Sequence, residues 1–244
     1  LGMFLLPIGQ PIYLGTNFLF SSDAVIHSLS AKAETKNANS FYKKGLKKYD
    51  QNNFKGAISD FTKAIKINSE YAEAYEERGK AKDALSDFEG AISDFTKAIK
   101  INPEYGDAFY NRGLSKEELK DFKGAISDYT KAIKINPQYS DAFNNRGNVK
   151  LDLNLYKEAI KDYTKAIEFS PQYGDAYYNR GLAKENLKDF EGAIKDYTKA
   201  IEFFPKGEDA GDAYHGRGYA KEMLKDFEGA IKDYTKATKL IPED

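Results

Sequence analysis

Apolar and polar positions follow a helical rhythm over most of this chain. Phe54, Ala57, Phe61 and Ala64 stand three or four residues apart, a spacing that lines one face of an α-helix. The string KGAISDFTKAIKIN around Ala57 returns downstream as EGAISDFTKAIKINP, KGAISDYTKAIKINP and EGAIKDYTKAIEF. Gly79 follows Gly45 by 34 residues, and the same interval separates Gly113, Gly147 and Gly181. With the first position set at Ala38, units cover 38–71, 72–105, 106–139, 140–173 and 174–207. A three-residue insertion, Glu208 to Ala210, precedes the sixth unit at 211–244.

Within this register the eighth residue is always glycine (Gly45 to Gly218), and positions 20 and 27 are always alanine (Ala57 to Ala230, Ala64 to Ala237). Small residues at fixed offsets predict where two helices cross closely, because a larger side chain would force the backbones apart. Aromatic residues recur at positions 4, 17 and 24, from Phe41, Phe54 and Phe61 onward, and read as core stripes with no call for a cofactor. Asp87, Asp121, Asp189 and Asp226 at position 16 predict N-caps for the second helix of each unit. Pro103, Pro137, Pro171, Pro205 and Pro242 at position 32 stop that helix. Each unit therefore reads as helix, turn, helix, breaker, and the fold class is an all-α solenoid.

Glycine at 8, alanine at 20, an aromatic at 24, alanine at 27 and proline at 32 resemble the tetratricopeptide repeat over residues 38–244. Basic residues at position 7, lysine at 11 and Ser69 in place of proline depart from the usual pattern. The resemblance implies a right-handed superhelix whose concave surface is lined by first helices at positions such as 2, 5, 6, 9, 12 and 13. A pentatricopeptide array would repeat every 35 residues or so and read RNA, which fits this period less well.

Position 6 of three consecutive units holds Asn111, Asn145 and Asn179. In the family an asparagine there is similar to one that touches a peptide backbone, and a carboxamide has a donor and an acceptor to offer a peptide bond. Tyr110 and Tyr178 at position 5 offer platforms beside that ladder. Asp107, Asp141, Asp175 and Asp212 at position 2, with Glu117, Glu185 and Glu222 at position 12, predict an acidic groove for a basic or polar peptide. Acidic residues at the start of a helix also suit its dipole, so the aspartates have a purely structural reading as well. A second ladder pairs a basic residue at position 7 (Lys44, Arg78, Arg112, Arg146, Arg180, Arg217) with aspartate at position 23 (Asp60, Asp94, Asp128, Asp162, Asp196, Asp233). Because the two types always occur together, they read as framework rather than as an anion site. The carboxylate clamp that some co-chaperones of this family use is missing its basic groups: Glu76, Lys80, Asp141 and Asn145 stand around Asn111.

Charge narrows the partner class. The chain has 37 Lys plus Arg against 38 Asp plus Glu, so no basic excess recommends nucleic acid. It lacks cysteine altogether and has only His27 and His215, which argues against thiolate chemistry and multi-histidine metal sites. No nucleophile-elbow, phosphate-loop or zinc-protease motif interrupts the repeats. The expected function is a non-enzymatic scaffold that holds a peptide or partner segment without a cofactor. Self-association through the array ends, or a regulatory part in a larger complex, are the alternatives. Thr238 and Lys239 make the last helix more polar than its siblings, as a cap would be.

Residues 1–37 differ in kind. An apolar stretch without charge before Asp23, followed by Ala31-Lys32-Ala33, resembles a secretory signal. Against that reading, Pro7, Gly9, Pro11 and Gly15 interrupt the apolar run and no basic segment precedes it, and the same breakers disfavour a membrane anchor. Export, and retention as a capping helix over residues 24–36, both remain open on the sequence.

Overall fold

A computed structural model describes residues 36–204 and 206–240; the apolar N-terminal segment, with its signal and capping readings, lies outside them. The described residues form twelve helices and no strand. The first, α1, spans residues 36–50. It is followed by α2 (Phe54–Ile67), α3 (Ala72–Asp83), α4 (Phe88–Ile101), α5 (Gly106–Glu118), α6 (Phe122–Ile135) and α7 (Ser140–Asp152). Then come α8 (Tyr156–Phe169), α9 (Gly174–Asn186), α10 (Phe190–Phe203), α11 (Glu208–Met223) and α12 (Phe227–Leu240). From α3 on, each odd helix packs most closely on the even helix after it and next on the even helix before it, so the array is an all-α solenoid. Neighbouring odd helices also touch one another, as α3 with α5, α7 with α9 and α9 with α11. Even helices show no comparable contact, which puts the odd helices on the tighter, inner side of the curve.

The deep core is narrower than the three aromatic stripes suggest. Only the ring at position 24 is wholly enclosed, as in Phe61, Phe95, Tyr129, Tyr163 and Tyr197. Position 17 is half-buried in the first five repeats and exposed as Phe227 in the sixth, and at position 4 only Phe143 is buried. The reason is the neighbour each position meets: the position-4 rings lie beneath guanidinium groups, as Arg112 over Phe109 and Arg217 over Tyr214. The glycine at position 8 answers to the position-24 ring. A Cβ on Gly113 would stand 2.7 Å from Tyr129 Cε1, and one on Gly147 as close to Tyr163.

Turns repeat as faithfully as helices. Asp87, Asp121, Asp189 and Asp226 accept from the backbone N–H of Gly90, Gly124, Gly192 and Gly229 at 2.9–3.1 Å, and Asn53 does the same for Gly56. That glycine is part of the cap, since a Cβ on Gly124 would fall 2.0 Å from Asp121 Oδ2. The fourth repeat changes both together, with Leu155 at the cap and Glu158 three residues on, and has no side-chain cap bond. The insertion before the sixth repeat does not form a loop: Glu208, Asp209 and Ala210 add a first turn to α11, entered through Gly207 at φ 89°.

Position 15, the last turn residue before each second helix, is left-handed in every repeat: Asn52, Ser86, Lys120, Asn154, Lys188 and Lys225 have φ of 57–67°. No glycine occupies it. Replacing Lys188 by Gly should therefore raise the denaturation free energy by about 0.5–1 kcal/mol, measured by urea unfolding. An unchanged or lower midpoint would show that Lys188 contributes more than backbone strain.

Candidate functional site

The ladder of basic and acidic residues resolves into framework. Arg146 donates through Nε and Nη2 to both oxygens of Asp162 at 2.9 and 2.6 Å, while Nη1 donates to Thr130 of the preceding repeat at 3.0 Å. Lys150 takes the second side of the same carboxylate at 2.6 Å. Arg78, Arg112, Arg180 and Arg217 repeat the arrangement with Asp94, Asp128, Asp196 and Asp233. The position-11 lysine, a departure from the family pattern, thus completes a buried cluster. Burial pushes Asp233 toward neutrality, yet hydrogen bonds from Arg217 and Lys221 hold it below the usual carboxylate range. Repeat one is the exception: Asp60 pairs with Lys48 and Lys63, and Lys44 lies over the Phe41 ring. An ammonium cannot reproduce the bidentate fork.

Along the inner side, the three ladder asparagines are half-buried and each is tied to the repeat before it. Asn111 Nδ2 donates to Glu76 Oε1 at 2.9 Å, Asn145 Nδ2 to the Tyr110 hydroxyl at 3.0 Å, and Asn179 Nδ2 to Asn148 Oδ1 at 3.1 Å. Asn144 Nδ2 in turn donates to Asn145 Oδ1 at 3.2 Å. This changes the chemistry expected of the ladder. One N–H of each amide is engaged within the protein, while the amide oxygens of Asn111 and Asn179 receive no protein hydrogen bond among the described residues.

The carboxylates divide into two groups. Asp107, Asp141 and Asp175 are exposed on the first turns of α5, α7 and α9, and Asp212 is exposed in α11. Burial and then Asp209 raise the Asp175 carboxyl above its ordinary value. The position-12 glutamates instead serve the core: Glu117 accepts from Tyr129, Glu185 from Tyr197 and Glu222 from Tyr234, at 2.7–2.9 Å. Burial raises the Glu117 and Glu185 carboxyls, although those phenol bonds work against it. The groove is therefore less acidic than a count of its carboxylates suggests. Where position 12 is Leu151, Asn148 takes over and accepts from Tyr163 at 2.9 Å.

Tyr110 and Tyr178 are not open platforms. Tyr110 lies between Tyr129 and Tyr139, with ring centroids 5.9 and 4.9 Å away, and Tyr178 sits 5.7 Å from Tyr197. Burial, then Asp141, pushes the Tyr110 phenol up to about 12. Fourth in that column, Asn144 replaces the ring; it is 4% exposed and its Oδ1 has no partner. Beside it Asp141, Ser140, Ser170, Pro171, Gln172 and Tyr173 line a cleft of about 610 Å³.

Residues missed on the sequence are those outside the recurring ladder. Glu76 at position 5 is buried and accepts from Tyr105 at 2.9 Å as well as from Asn111, with Lys80 at 3.7 Å. Position 34, as Tyr71, Tyr105, Tyr139 and Tyr173, supplies a tyrosine column on the rim. Its recurrence in the first four repeats was the available signal. No group of three or more metal-ligating side chains gathers among the described residues, and none of their helices is long and apolar enough to cross a membrane.

The repeat length, the paired helices and the small residues under each core ring define a tetratricopeptide solenoid, and comparison with known proteins agrees. Models of the tetratricopeptide repeat match residues 38–82 and 147–188, 106–139 and 174–206, 128–161, and 72–105 and 211–244. The chain belongs to the tetratricopeptide-repeat family. Among solved structures it is similar to MamA, at 24% identity and TM-score 0.63, over 79% of this chain and 96% of that one. It is also similar to YrrB, described as a TPR protein with an unusual peptide-binding site, at 23% identity and TM-score 0.65, over 75% and 93%. PilF of Pseudomonas aeruginosa superposes with TM-score 0.74 at 15% identity, over 87% and 95%. No curated protein sequence matches the chain.

Proposed function

We propose that the inner groove of repeats three to five holds an extended peptide or partner segment rich in hydrogen-bond donors and positive charge. The observation that carries this reading is the set of acceptors without a protein donor along this side: the Asn111 and Asn179 amide oxygens, together with the exposed carboxylates Asp107, Asp141 and Asp175. The second N–H of each ladder amide is left for a backbone carbonyl. Acceptors fixed by neighbouring repeats suit a ligand that brings backbone N–H groups, lysine or arginine. YrrB, similar in fold, is described as having a peptide-binding site. The positive preference distinguishes this groove from a clamp for a C-terminal carboxylate, which needs basic groups.

Exposed charge pairs contribute about 0.2–1 kcal/mol each, so three of them govern roughly a tenfold change in affinity. Screening a peptide array should select lysine- and arginine-containing sequences over acidic ones. Replacing Asp107, Asp141 and Asp175 together by Asn should weaken the selected peptide about tenfold at low salt and flatten its salt dependence. Selection of acidic peptides, or an unchanged affinity in the triple variant, would refute the assignment.

A further inference from the structure

On the inner side, the second repeat departs from its siblings at one spot. Its position-24 ring is Phe95, which lacks the hydroxyl that Tyr129, Tyr197 and Tyr234 donate to the position-12 glutamates. Position 12 itself is Asp83, one methylene shorter than those glutamates. Position 13 is Ala84, where the later repeats carry Glu118, Asp152, Asn186 and Met223. Three shorter side chains thus coincide, and a cavity of about 230 Å³ opens where they meet. The enclosed Phe95 ring forms its floor, while Tyr49 of α1 and Leu114 of α5 line it as well, so three successive repeats build it.

Two acceptors in this cavity lack a donor. Asp83 Oδ1 accepts from Ser115 at 2.5 Å, and Ser115, the one hydroxyl at position 10, is wholly buried and fixes the carboxylate in place. Asp83 Oδ2 receives no hydrogen bond, and the carboxylate pairs with no Lys or Arg among the described residues. The Asn111 amide oxygen, whose residue also lines the cavity, is unpartnered in the same sense. Lys80 is the one cation there, and it is already engaged, 2.7 Å from Glu77 and 3.7 Å from Glu76. The carboxylates around the cavity therefore outnumber its ammonium.

We infer that this cavity takes a lysine side chain of the peptide held in the groove; the inference rests on the groove function proposed above and extends its ligand into repeat two. A lysine brings an apolar stem to lie along Tyr49, Phe95 and Leu114, and an ammonium with three diverging donors for Asp83 Oδ2 and the Asn111 oxygen. Arginine suits the cavity less. Its planar fork calls for both oxygens of one carboxylate, and Ser115 already occupies one oxygen of Asp83. An acidic side chain would meet Asp83 with no free cation to offset the repulsion.

The test uses the full chain and a basic peptide selected on the array. Each lysine of that peptide is replaced in turn by norleucine, which keeps the stem and removes the charge, and by arginine. Affinities are measured for the parent, Asp83→Asn and Phe95→Tyr. One lysine should stand out: norleucine there should weaken binding to the parent about tenfold, and arginine several-fold. In Asp83→Asn the same norleucine replacement should cost roughly twofold or less, because its partner charge is already gone. Phe95→Tyr, which puts into the cavity a hydroxyl that repeats three to six already carry, should weaken the unmodified peptide about tenfold as well. Selected peptides that carry arginine alone, or a peptide in which no lysine is coupled to Asp83, would overturn the inference while leaving the groove function intact. An array that selects no basic peptide at all would overturn both.

Discussion

Alkali is expected to unfold this protein steeply once the pH passes about 10. In an unfolded chain tyrosines lose their proton near that value. In the fold, burial first, and then a neighbouring carboxylate such as Glu117 or Glu185, holds the phenols of Tyr129 and Tyr197 protonated well above it; burial and Asp152 do the same for Tyr163. The folded state therefore binds more protons than the unfolded state above pH 10, and its stability falls as pH rises. Below pH 10 both states are protonated and the contribution is fully present. Each such phenol removes about 1.4 kcal/mol per pH unit, so these three together remove about 4 kcal/mol per unit. Helix content and tyrosinate absorbance, followed from pH 8 to 12, should change together. Phenols that titrate near pH 10 while the helices persist would mean that the position-24 rings are not sealed in the core.

Arg146→Leu is the substitution expected to damage the array most without touching an apolar core residue. It strips two hydrogen bonds from Asp162 and leaves that buried carboxylate to Lys150 alone. It also breaks the tie to Thr130 and uncovers Phe143. Leaving a buried charge underpaired costs on the order of 2–4 kcal/mol, slightly less than full orphaning because one ammonium remains. Replacing Asp162 by Leu as well should recover part of the loss, since the buried carboxylate is gone and only the Lys150 ammonium, on a long flexible stem that can reach water, loses its partner. Thermal and urea unfolding of the single and double variants decide this. A single variant as stable as the parent would remove the framework reading of the ladder.

What could be read from sequence was whatever repeats. Glycine at 8, alanine at 20 and 27 and the aspartate caps appear in nearly every unit because each repeat solves the same packing problem. The Arg146–Asp162 type of pair was legible for the same reason: both residues recur together. The groove was legible only in outline. Asn111, Asn145 and Asn179 were visible as a ladder, but their partners Glu76, Tyr110 and Asn148 occupy positions whose residue type changes from one repeat to the next. Which atoms of the ladder are left for a ligand depends on those partners, and one N–H of each amide is engaged within the protein. Glu117 looked like groove charge because its bond to Tyr129 joins positions twelve residues apart on different helices. A period of 34 shows where a helix lies, yet it does not show which neighbour a long side chain reaches.

Asn179 and Arg180 are consecutive residues of α9, and comparing them tests the central claim most directly. The first belongs to the proposed groove and the second to the framework. Binding of an array-selected basic peptide and the melting temperature should be measured for Asn179→Ala and Arg180→Leu side by side. The account predicts that Asn179→Ala weakens the peptide several-fold with a melting temperature within a degree or two of the parent, because its partner Asn148 still accepts from Tyr163, while Arg180→Leu lowers the melting temperature by several degrees. Full peptide affinity in Asn179→Ala, or lost affinity with unchanged stability in Arg180→Leu, would contradict it.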